Sequence, residues 1–256
     1  MPAVVQNRGM TADDIEAIER ATVAAVSPAA QEELPGWLLP FDTGTVSRAK
    51  SAVPLSHGTP DAAVLREIEA RYAAHGLVPM LRLPSASTFD ALRALLRERG
   101  WAEKGKAVQV QTARTGDVRG VTQDAPAGTA PQPDAGWASV FLGEGFDPVD
   151  GASRVATLGR APGALFASIR EDGQTIAAGM GAYSHGWGSI HGMRTAQRCR
   201  GRGLAGRVLA ALAGGAAARD IERIFLQVEV GNDAAVSLYR RAGFSTAWTY
   251  RYWTPA

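Results

Sequence analysis

The stretch "TAQRCRGRGLAGRVLAALAGGAAARD", residues 195–220, decides the fold. A loop crowded with arginine and glycine gives way to a run of alanine and leucine. "GSIHGMRT" before it reads as a strand and "LAGRVLAALAGGAAA" as a helix. The loop "AQRCRGRG" therefore ends at a helix N-terminus, where amides without intrahelical partners point outward and the dipole is positive. Gly201 and Gly203 let the backbone approach an anion closely, and Arg198, Arg200 and Arg202 strengthen the field. A solvated, charged turn ahead of a helix is the plainer reading of the same residues.

Two familiar phosphate motifs fit poorly. GxxxxGK[ST] is absent. Gly201, Gly203 and Gly206 satisfy a bare GxGxxG, but no early βαβ unit surrounds them, and Glu222 precedes its strand instead of ending it. Arg200-Gly201-Arg202-Gly203-Leu204-Ala205 fits R/Q-x-x-G-x-G/A better. Further on, Asn232, Ala235, Leu238, Tyr239, Gly243 and Phe244 fit N-x-x-A-x-x-L-Y-x-x-x-G-F.

The rest of the chain gives the setting. It has 256 residues and a net charge of only +2, so composition makes no general case for nucleic acid or a membrane surface. One cysteine, Cys199, excludes an internal disulfide and cysteine-rich zinc sites, and the four histidines lack ligand spacing. No apolar run approaches the ~20 residues that span a bilayer. The opening "MPAVVQNRGMTADD" has no secretory pattern, so a cytoplasmic protein is expected.

"TADDIEAIERATVAAV" predicts a capped helix over 11–26. Strands are expected at "GWLLPF", "TVSRAKSAV", "LVPMLRL" and "KAVQVQT", with helices at 61–74 and over "TFDALRALLRER". Residues 114–133 are rich in Gly, Pro, Thr and Asp and read as a linker between parts 1–113 and 134–256. Beyond it, helices are expected at 137–141 and 150–158. A hairpin turning at Asp172-Gly173 follows, then the opening motif, then "RIFLQVEV", "DAAVSLYRRAG" and "STAWTYRYW". Asp90, Leu95, Gly100 and Trp101 fall opposite Asp233, Leu238, Gly243 and Phe244 without a gap, a weak internal repeat.

The two motifs, in this order and setting, resemble the GCN5-related N-acetyltransferase (GNAT) superfamily, with residues 134–256 as the catalytic part. The first half is similar to the degenerate N-terminal half of two-domain bacterial members, in "GWLLPF…RAKSAVPL". The resemblance implies an α/β (α+β) fold of tandem GNAT-like halves, each a mixed, mostly antiparallel twisted sheet flanked by helices. It implies acetyl-CoA as co-substrate, no metal, and an amine acceptor, whether a small amine or a peptide or protein N-terminus.

The resemblance places the pyrophosphate on Arg200, Gly201, Arg202, Gly203, Leu204, Ala205 and Gly206, and the pantetheine arm along Met193, Arg194 and Thr195. Tyr239 matches the general acid, and Asn232 would bind the coenzyme, cap a helix, or do both. In one branch a glutamate serves as base where this chain has Gln227, so Glu229 and His191 are the candidates, with a water chain as a third possibility. No nucleic acid or membrane partner is implied, and the assembly is a monomer or homodimer. A non-catalytic acyl-CoA-binding or regulatory module is the rival.

Overall fold

The computed structural model describes residues 10–256 except 144 and 146. The reading of a signal-free N-terminus falls mainly on residues 1–9, outside the described residues. The elements run α1 (Ala12–Val26), β1 (Ala30–Leu34), β2 (Trp37–Phe41), β3 (Val53–Pro54), α2 (Val64–Ala74), β4 (Leu81–Pro84), α3 (Asp90–Glu98) and β5 (Trp101–Arg114). Then come α4 (Thr115–Arg119), β6 (Gly128–Ala130), α5 (Ala135–Ser139), α6 (Pro148–Gly159), β7 (Leu165–Glu171), β8 (Gln174–Ser184) and β9 (Trp187–Thr195). The chain finishes with α7 (Leu204–Ala217), β10 (Arg223–Glu229), α8 (Asp233–Arg241) and β11 (Ser245–Pro255).

Local chemistry accounts for most of these boundaries. Thr11 and Asp14 cap α1 reciprocally: Asp14 N donates to Thr11 Oγ1 at 3.1 Å and Thr11 N to Asp14 Oδ2 at 3.2 Å. Asp172 and Gly173 adopt positive φ, 48° and 76°, as a tight hairpin between β7 and β8 requires. The strand expected over "TVSRAKSAV" is absent: Ser47–Ala49 form a 3-10 turn and only Val53–Pro54 pair as a strand. Val46, Ala49 and Ala52 are buried at a spacing of three, which suits a 3-10 turn over Ser47–Ala49, and Val53 is buried on the strand that follows. Helix α2 begins at Val64, three residues later than expected, and β5 extends five residues before and two after "KAVQVQT". The interval 114–133 holds α4 and β6, and Thr115 ties it to the body by donating to Ile221 O at 2.7 Å.

Eight strands form one mixed sheet in the order β4-β11-β5-β10-β9-β8-β7-β6, and β1-β2-β3 form a second small sheet. Every pairing in the large sheet is antiparallel except β9 with β10. The two halves therefore share the sheet. The units β4-α3-β5 and β10-α8-β11 interlock, each with its two strands separated by one strand of the other, so the order reads alike from either unit. Gly100 after α3 and Gly243 after α8 both take positive φ, 76° and 87°. These are the aligned glycines of the sequence repeat, each closing its helix.

Both faces of the central strands are covered. Helix α7 packs Val208, Leu209, Leu212 and Ala216 in one cluster with Ile190, Ile224 and Leu226. On the other face α1 brings Ile18 and Ala21 against Val110, Trp187, Phe225 and Tyr250. This explains why "RIFLQVEV" reads as nearly continuous apolar sequence. Gly151 shows how tightly α6 packs: a Cβ there would lie 2.2 Å from Phe141 O. Gly151→Ala should destabilise by about 1–3 kcal/mol through overpacking, measured by denaturant unfolding.

Candidate active site

Strands β9 and β10 pair only over Gly188–Ile190 and Ile224–Leu226. Past His191 and Gln227 they separate. The cause is on β9: its register against β8 slips between His191, opposite Met180, and Arg194, opposite Ala178, so β9 carries an extra residue there. Gly192 takes φ 60° at this bulge. Met193, Arg194 and Thr195 thus lie along a strand paired to β8 on one side and parted from β10 on the other.

The loop after β9 leads into the start of α7. Gly201 and Gly203 have φ of 78° and 73°, and neither would bring a Cβ within 4 Å of another group. The glycines there serve backbone conformation and open access, not tight packing. No side chain caps α7 at Gly203. A 14-residue helix with an uncapped N-terminus beside a glycine loop is a fit cradle for a pyrophosphate. Arg200 forms no ion pair among the described residues, whereas Arg202 is held at 2.5 Å by Glu171. A groove of about 490 Å³ runs along Met193 to Thr195, Cys199 to Gly206, and the α8 residues Ala234, Ala235, Leu238 and Tyr239, with Asn232 and Arg241. Asn232 Oδ1 accepts from Ala235 N at 3.3 Å, so it caps α8.

A second cavity, about 420 Å³, opens on the α1 face of the sheet. His191, Gln227, Glu229, Arg48, Arg154 and Tyr252 are among its lining residues. Groove and cavity share Met193, Arg194, Asn232, Ala235 and Tyr239. The gap between β9 and β10 joins them, with Tyr239 at the junction. Tyr239 is 7% exposed. Burial pushes its phenol up to about 12, opposed by the Arg194 guanidinium. The phenol is therefore protonated across the neutral range.

The base candidates differ in setting. His191 is 4% exposed, and neither ring nitrogen has a hydrogen-bond partner. Burial, with Arg48 as a second cause, holds it well below the usual imidazole range. Glu229 is exposed at the cavity wall on the same strand face as Gln227. Gln227 itself is committed: its Nε2 donates to Thr22 Oγ1 at 2.9 Å and its Oε1 accepts from Tyr250 at 2.7 Å.

Tyr239, Glu229, His191, Asn232, Met193 to Thr195 and Arg200 to Gly206 all border the groove, the cavity or both, whereas Gly243 and Phe244 of the second motif do not: Phe244 is buried in the core. Cys199 is buried beside the groove. Sequence reading missed Thr45, Ser47 and Arg48 of the first half, and Arg154 of α6. None sits in either of the two glycine and tyrosine motifs; Arg48 opens "RAKSAVPL", and "TVSRAKSAV" suggests only a strand. Among the described residues no cluster of three or more His, Cys, Asp or Glu is placed to hold a metal ion, and no helix is long and apolar enough to cross a membrane.

Comparison with known proteins bears on the family and the fold. A family profile described as "Probable histone acetyltransferase Rv0428c C-terminal" matches residues 11–253. The uncharacterised N-acetyltransferase YobR of Bacillus subtilis (strain 168) is 30% identical over 245 residues, covering 94% of this chain and 98% of YobR. A GCN5-related N-acetyltransferase from Kribbella flavida superposes with a TM-score of 0.68 at 20% identity, covering 97% of this chain and 96% of that one. A tandem GNAT protein from the clavulanic acid biosynthesis pathway superposes with a TM-score of 0.59 at 14% identity, covering 96% of each.

Proposed function

Given that the chain belongs to the Rv0428c C-terminal family, within the GNAT superfamily of acetyltransferases, we propose that it is an acetyl-CoA-dependent N-acetyltransferase acting on a primary amine. One observation carries the reading: parted strands join an anion-cradling groove to a separate cavity, with a buried, protonated phenol where they meet. Acetyl-CoA, when bound, supplies the acetyl group as an activated thioester. The amides around Gly201 to Gly206 would hold its pyrophosphate, with Arg200 adding charge. The parted edge at Met193 to Thr195 would receive the pantetheine amides as an added strand.

The acceptor nitrogen forms its bond to the acetyl carbon as the carbon–sulfur bond breaks. Tyr239 Oη gives its proton to the departing sulfur, and a base takes one from the amine. We assign the base to Glu229, directly or through water, over His191. An imidazolium at that buried position beside Arg48 would be strongly disfavoured. A free amine, not its ammonium form, is what enters the reaction.

Calorimetry should give one acetyl-CoA site per chain. Gly203→Val forces a β-branched residue into the left-handed region, at about 1–2 kcal/mol of backbone strain. The rebuilt loop should weaken binding by at least ~10-fold. Unchanged binding, or a second coenzyme per chain, would contradict the assignment. Coenzyme binding without thiol release for any amine or peptide would favour a non-catalytic acyl-CoA-binding module.

A further inference from the structure

The cavity on the α1 face carries more positive charge than acetyl transfer needs. Arg48, Arg154 and Arg194 line it, with Glu229 as the facing carboxylate. Arg154 is neutralised locally, since its Nε lies 2.6 Å from Asp150 Oδ2, and Asp150 also accepts from Thr45 at 2.7 Å. Arg48 is not. It forms no ion pair among the described residues, and its Nε is buried without a hydrogen-bond partner. Its one hydrogen bond, from an Nη to Gln227 Oε1, is long at 3.4 Å, and that oxygen already accepts from Tyr250 at 2.7 Å.

A guanidinium with a buried, unpartnered Nε is poorly satisfied by the described residues, because an unmade hydrogen bond to a charged group is expensive. Its planar fork matches a carboxylate or phosphate. Arg48 comes from the 3-10 turn of the first half, so this charge is delivered to the cavity from outside the motif-bearing region. Arg48 and His191 line the same cavity, so the guanidinium is placed at its interior wall.

We propose that the cavity selects amine acceptors that also carry an anionic group, a carboxylate or phosphate, and that Arg48 receives that group. The acceptor's amine then points toward Tyr239 and its anion toward the first half. Glu229, exposed at the wall, faces the amine end. The inference rests on the acetyl-transfer reading, but its test separates the two.

Amino acids would be compared with their carboxamides, and phosphoethanolamine with ethanolamine, by thiol release and by calorimetry on protein saturated with coenzyme A. The expected result is a kcat/KM at least ~10-fold higher for the anionic member of a pair, carried by KM. Arg48→Gln should cut that ratio toward one, while Arg48→Lys keeps part of it. Thermal melting confirms that each variant is folded. A preference within the carboxylate pairs alone, or the phosphate pair alone, identifies which anion is read. Equal use of both members, or a ratio untouched by Arg48→Gln, overturns the proposal. So does a failure of every anionic amine to bind or react while acetyl-CoA still binds. Failure to bind acetyl-CoA at all is instead the failure of the acetyltransferase reading.

Discussion

Tyr239→Phe is expected to lower kcat by ~10²-fold, the low end for general acid catalysis, with little change in acetyl-CoA affinity. The substitution keeps the ring, which packs edge-on to Phe244 with centroids 5.8 Å apart, and removes only the proton donor. Its pH dependence is specific. Burial raises the phenol to about 12, so the wild-type donor stays protonated from pH 7 to 10. The ratio of wild-type to variant rates should then be flat across that range. An alkaline limb near 9 in the ratio would mean that the Tyr239 phenol ionises there and is not held up by burial. Native turnover by the variant would make Tyr239 a packing residue. The measurement uses an amine found in the acceptor comparison.

Arg82→Ala should remove about 3–5 kcal/mol of stability and lower the melting temperature by roughly 10 °C. Arg82 on β4 and Glu19 on α1 form an ion pair at 2.7 Å, with side chains 0% and 4% exposed. Arg82 also lies over the Tyr250 ring, 5.3 Å from its centroid. Removing the guanidinium leaves a carboxylate stranded between helix and sheet. Burial already pushes the Glu19 carboxyl up, with Arg82 opposing, so loss of Arg82 would push it further up. Nε and Nη1 of Arg82 lack hydrogen-bond partners, so the pair is incompletely satisfied. Replacing both members, as Arg82→Met with Glu19→Leu, should therefore recover most of the loss. A double variant as unstable as the single one would show that the charges themselves hold α1 on the sheet.

Spacing and local chemistry made the motif region legible. Glycines at 201 and 203 before an apolar helical run mark a helix N-terminus with open amides wherever the helix ends up, because helix-terminal amides are a local property. Tyr239 follows the Asn232 cap by seven residues, about two turns, so a shared helix face follows from the sequence. The capping box at Thr11 and the turn at Asp172-Gly173 were readable for the same reason. Gly100 and Gly243 showed the repeat because a helix-closing left-handed residue leaves a one-letter trace.

Other features depend on partners far along the chain. Leu96 and Tyr239 hold matching places in the repeat, yet one lies in an all-apolar cluster and the other at the join of two cavities. That difference comes from the parting of β9 and β10 beside Tyr239. The exchange of β5 and β11 between units, the seating of α1 on the second half's strands, and the arrival of Arg48 beside His191 and Gln227 all join residues more than 100 positions apart. No local period records such pairings, since a strand's alternation fixes its faces but not its neighbour. The sequence by itself determined the glycine loop ahead of α7, the capped helices and the phenol's helix face. Only the tertiary structure decided which strands part, what borders the second cavity, and which arginine there has no carboxylate partner among the described residues.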